Sequence, residues 1–72
     1  MKKSYKLLDL DCAHCAAKME DAINKIDGVQ LARISFMAQR LTITADPERH
    51  GEILKEAVRI CHKIEPDCTI VI

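Results

Sequence analysis

The spacing of apolar residues along this chain switches between two periods. Residues 4 to 10, SYKLLDL, alternate. Tyr5 and Leu7 fall on one face of an extended strand, and Leu10 turns inward at its end. From Ala13 to Ile26 the step lengthens. Cys15, Met19, Ala22, Ile23 and Ile26 recur every three or four residues, with Lys18, Glu20, Asp21, Asn24 and Lys25 between them. That pattern predicts an amphipathic helix, stopped by Gly28 as a C-terminal cap. Residues 29 to 36 and 40 to 45 alternate again, with Ala32, Ile34 and Phe36, then Leu41 and Ile43, on one face. The MAQ between them is hairpin-sized but lacks the Gly or Asn of the tightest turns. Asp46-Pro47-Glu48 predicts a helix start, because Asp caps, Pro suits the first turn and Glu complements the helix dipole. Ile53, Leu54, Ala57, Val58, Ile60, Cys61 and Ile64 form the apolar stripe of this second helix. Pro66 ends it, and residues 68 to 72 make a last strand.

The order strand, helix, strand, strand, helix, strand is that of two split β-α-β units. It predicts an α+β, ferredoxin-like sandwich: a four-stranded antiparallel sheet with both helices on one face. Alternation in the middle strands fits a sheet with one covered and one wet face. At 72 residues this is one small domain, residues 1 to 72, which buries only about 60% of its unfolded surface.

Charge and composition narrow the functions. Lys plus Arg equals Asp plus Glu, and there are one Tyr, one Phe and no Trp. Neither a basic surface nor a stacking platform for nucleic acid is indicated. No apolar stretch approaches the roughly 20 residues needed to span a bilayer, and the N-terminus lacks a signal-peptide pattern, so a cytosolic location without membrane insertion is expected.

The candidate chemistry lies in LDLDCAHCAAKMED. Cys12 and Cys15 fall where the first strand gives way to the first helix. Unpaired backbone N–H groups and the positive end of the helix dipole favour thiolates there. Two such sulfurs can share a soft ion: Cu(I), Zn(II), Cd(II), Pb(II) or Hg(II). A redox dithiol uses the same CxxC at a helix start, so a thiol-disulfide oxidoreductase is an alternative, although no Trp precedes the motif. A closed zinc cage would need a second close pair, and Cys61 and Cys68 are seven apart.

The motif Cys12-Ala13-His14-Cys15, the helix after it, Gly28-Val29, Phe36 and Leu41-Thr42-Ile43 together resemble the heavy-metal-associated domain. Members occur in metal-pumping P-type ATPases and as free metallochaperones. The resemblance implies a ferredoxin-like fold, Cys12 and Cys15 as metal ligands, and a cytosolic site that receives an ion and passes it on. It implies no enzymatic activity for the domain itself. Its partners would be the rest of a membrane ATPase or a protein that donates or accepts metal. Two copies could share one ion in a metal-bridged dimer.

One departure bears on the metal. Copper members carry Gly-Met-Thr or a similar run before the first cysteine, whereas this chain has Leu10-Asp11. Asp11 looks like the variant of the zinc-, cadmium- and lead-exporting branch. Two thiolates neutralise Zn(II) and leave coordination for an oxygen from Asp11, but already leave Cu(I) at net −1. The expected site is therefore Asp11, Cys12 and Cys15 with Zn(II), Cd(II) or Pb(II); Cu(I) fits less well. Asp11 is also placed to cap the helix. Cys61 and Cys68 read as small core residues, His62 as an auxiliary ligand at most, Lys63 and His14 as solvated, and His50 as a surface residue. Met19 and Met37 read as packing or exposed side chains.

Overall fold

The computed structural model describes residues 2–71. Six elements follow in the expected order: β1 (Lys2–Leu8), α1 (Ala13–Asn24), β2 (Val29–Ser35), β3 (Arg40–Ala45), α2 (His50–Ile64) and β4 (Thr69–Val71). The strands form one antiparallel sheet in the order β2-β3-β1-β4. This is the ferredoxin-like sandwich. Leu7, Leu41, Ile43, Ala32 and Ile70 point from the sheet into the core. Met19 and Ile23 of α1 and Ile53, Ala57 and Cys61 of α2 meet them, all essentially free of solvent.

The element ends differ from the sequence expectations for local reasons. β1 begins at Lys2, because its ladder with β3 extends to Thr44. α1 ends at Asn24, short of Gly28. Gly28 instead takes φ +96 where the chain enters β2, a backbone state that favours glycine. α2 begins at His50, after a turn in which Asp46 Oδ1 accepts the Glu48 N–H at 3.0 Å. Asp46 therefore closes a turn rather than capping the helix. The last strand was expected to run to Ile72, which lies outside the described residues.

α1 also protects an edge of the sheet. The Asn24 carboxamide accepts from Ala32 N–H at 2.8 Å and donates to Ala32 C=O at 2.9 Å, standing in for a neighbouring strand beside β2. Covering backbone groups at an edge discourages pairing with another chain.

The β2–β3 hairpin has no glycine at its tight position. Gln39 occupies it with φ +53, while Met37 at the tip is 93% exposed. The side chain of Gln39 accounts for this choice. Its Nε2 donates to Leu10 C=O at 2.8 Å and Phe36 C=O at 2.9 Å, and its Oε1 accepts from Leu10 N–H at 3.1 Å. The backbone of Leu10 is thus clamped between β1 and α1, while its side chain is buried in the core.

His50 is not at the surface. It is 5% exposed, its Nε2 lies 2.7 Å from the Tyr5 hydroxyl, and its Nδ1 is buried without a partner. Its place behind the turn at 46–49 carries it inward. Burial, with Lys3 nearby, holds its pKa below the ordinary value of 6.5.

Two outcomes are expected. The unfolded chain binds a proton at His50 more readily than the folded one. Stability is therefore fully present above about pH 6.5 and falls as pH drops below it. His50→Gln should flatten that acid-side loss in denaturation curves taken between neutral and mildly acid pH. Gln39→Ala should cost about 1–3 kcal/mol by orphaning the Leu10 backbone groups. It should also speed amide exchange at Leu10 ahead of global unfolding, and unchanged exchange there would remove the clamp's assigned role.

Candidate metal centre

Leu10 is the anchor from which the cysteines are presented. Asp9, with φ 60, turns the chain out of β1. Leu10 buries and is clamped by Gln39, and three residues later α1 begins. Cys12 is the N-cap. Its extended backbone precedes the helix, and its Sγ accepts the Cys15 N–H at 3.2 Å. Cys15, in the first helical turn, lies against it, and both side chains are partly exposed and unbridged.

The two thiols share a hydrogen bond and part in acidity. That bond, with the Cys15 and His14 backbone N–H groups, holds Cys12 below its usual range. The same bond, followed by burial and the negative charge of Cys12, pushes Cys15 up to about 11. The first proton leaves easily and the second stays until something replaces it. A soft cation is the natural replacement.

Asp11 does not cap α1. The helix starts one residue later than that role requires, and a sulfur takes the cap. The Asp11 carboxylate is exposed and makes no hydrogen bond or ion pair. A second acid, which the sequence reading missed, acts on the pair electrostatically. Glu65 is the C-cap residue of α2, its N–H bonded to Cys61 C=O at 2.8 Å. Its negative charge bears on Cys15 and contributes to the rise of the Cys15 pKa. The available signal was topological: α2 ends on the same side of the sandwich as the β1–α1 loop, and Glu65 follows its last turn. Among the described residues, no three His, Cys, Asp or Glu side chains are already gathered as a metal cage. Two thiols are in place.

Cys61 and Cys68 are core residues. Both are fully buried, and the Cys61 thiol points at Cys68 C=O at 3.7 Å. Burial pushes Cys61 up to about 12 and raises Cys68 as well, so neither readily becomes a thiolate. His62, Lys63 and His14 are exposed. The charge that bears on the cysteines from this side is that of Glu65, not Lys63.

Comparison with known proteins places this geometry. The profile of the heavy-metal-associated domain matches residues 5–63. A cadmium, zinc and cobalt-transporting ATPase of Bacillus subtilis is 30% identical over 70 residues, 97% of this chain and 10% of that protein. The chain thus spans about a tenth of that ATPase. The copper chaperone CopZ of Enterococcus hirae is 27% identical over 64 residues, 89% of this chain and 86% of that protein. A solved CopZ metallochaperone shares the fold with a TM-score of 0.76, at 18% identity, over 99% of this chain and 100% of that one. With its thiol pair at the β1–α1 junction and the profile matched along most of its length, the chain belongs to the heavy-metal-associated domain family.

Proposed function

We propose that this chain binds a soft divalent ion, Zn(II), Cd(II) or Pb(II), as the exchangeable delivery or regulatory module of a metal-exporting P-type ATPase, on the cytosolic side of the membrane. The observation that carries the metal choice is the pair of carboxylates, Asp11 and Glu65, flanking the Cys12–Cys15 thiols. Two thiolates cancel the charge of a divalent ion and leave room for an oxygen. The same thiolates already overcompensate Cu(I), and each nearby carboxylate adds repulsion. Asp11 and Glu65 compete for the third position, one from before the pair and one from beyond α2. Neither is locked there, and that openness suits a site that must give its ion up. An incoming ligand attacks the unfilled position while the ion is still held by sulfur.

A second reading is a free metallochaperone, favoured by the alignment with a copper chaperone over most of that protein's own length. The thiol-disulfide oxidoreductase reading loses ground against a metal-binding family. The metal-bridged dimer gains no support from the structure or the relatives, and one chain supplies every ligand in this proposal.

Two measurements test it. Asp11→Ala and Glu65→Ala should together lower Zn(II) affinity about 10–100-fold while leaving Cu(I) affinity equal or higher. X-ray absorption of the zinc-loaded protein should show two sulfur and at least one oxygen donor. Unchanged Zn(II) affinity in the double variant would sink the divalent assignment, whereas Cys12→Ser should abolish tight binding under either metal reading. The affinity should also depend on pH. Cys15, at about 11, must lose a whole proton to bind, and Cys12, held lower, adds at most one more. The logarithm of Zn(II) affinity should therefore rise with a slope of about one to two per pH unit between roughly pH 7 and 9. Calorimetry in buffers of different ionisation enthalpy counts the protons released.

A further inference from the structure

Among the described residues, no strand contains an acidic residue. The eleven Asp and Glu residues all lie in helices and connections. Side chains alternate across the sheet, so the ladder decides which strand residues face away from the helices. Arg40 stands opposite Lys6, and Thr42 stands opposite Arg33 on one side and Ser4 on the other. Lys2 pairs with Thr44. Lys2, Lys6, Arg33 and Arg40 are therefore on the uncovered face, and all four are exposed. Among the described residues, none of them has an ion-pair partner.

The formal net charge of zero hides this segregation. Among the described residues, the side chains of the uncovered face carry four positive charges and no negative one. On the rest of the molecule seven basic residues stand against eleven acidic ones. The arrangement also works against local stability, since Lys6 and Arg40 are like charges directly opposite each other in the ladder. The same face holds three of the four large apolar side chains exposed among the described residues: Leu8 at 42%, Leu31 at 50% and Val71 at 41%.

We propose that the uncovered sheet face is a peripheral docking surface for an anionic lipid bilayer. Four spread cations on a flat face reach lipid phosphates, their stems lying along the interface, while Leu8, Leu31 and Val71 enter the headgroup boundary. An isologous dimer through this face would set four positive charges against four. Nucleic acid would meet no exposed aromatic side chain there. The acidic remainder of the molecule is repelled by the same membrane, so docking has one orientation. Cys12 and Cys15, at the start of α1 in the helix layer, stay free to exchange an ion. The proposal does not depend on which metal they carry.

Vesicle sedimentation of the 72-residue chain tests it. Vesicles of phosphatidylcholine with about 30% phosphatidylglycerol should carry the chain down at low salt, pure phosphatidylcholine should not, and about 0.5 M NaCl should release it. Lys6→Ala with Arg33→Ala should lower the partition about 25-fold, at about fivefold per cation. Lys55→Ala with Lys63→Ala, on α2, should lower it by far less, about twofold at most. Circular dichroism of each variant confirms that it is folded. Absence of binding to the anionic vesicles overturns the proposal, as does equal loss in the two double variants. Association only with nucleic acid or with further copies of the chain, without vesicle binding, overturns it too.

Discussion

The site depends on how firmly one residue is held. Leu10 is the first residue buried after the chain leaves β1, and its backbone N–H and C=O are both taken by the Gln39 carboxamide. A loop between a strand and a helix normally leaves such groups to water. Here they are satisfied from the neighbouring hairpin, so the point from which Cys12 and Cys15 project is part of the rigid sandwich. Gln39 accepts a left-handed backbone to do this, at a position where Gly or Asn would sit more easily. The hairpin is shaped to hold the loop.

The four cysteines show that environment, not residue type, assigns chemistry. Cys12 and Cys15 stand partly exposed at a helix N-terminus, where backbone N–H groups favour the Cys12 thiolate. Cys61, in the last turn of α2, and Cys68, in the connection to β4, are buried, and the loss of water raises both thiols, outweighing at Cys68 the hydrogen bond between them. Glu65 lies between the two pairs, and its negative charge opposes ionisation on both sides. A cation at the exposed pair would reverse the local balance, turning that carboxylate from an opponent of ionisation into a potential donor.

The charge pattern makes a parallel point about composition. Equal numbers of acidic and basic residues suggested no preferred partner surface, but the sheet sorts them by strand parity and by element. A net charge is a sum over the molecule, and partners meet faces.

The sequence by itself determined the elements, their order and the layered fold, because each depends on local periodicity and on which side chains must leave water. It also determined the thiol pair, since the two cysteines are close in the chain and their junction is set by the change of period from Leu10 to Cys15. Element ends were less legible: Asp46 closes a turn and Cys12 caps α1, choices between nearly equal local bonds. Contacts between distant segments were decided only by the tertiary structure. Gln39 meeting Leu10, Glu65 meeting Cys15 and Tyr5 meeting His50 join residues 29, 50 and 45 positions apart. Periodicity says which face a residue takes, but not what the fold brings to meet it.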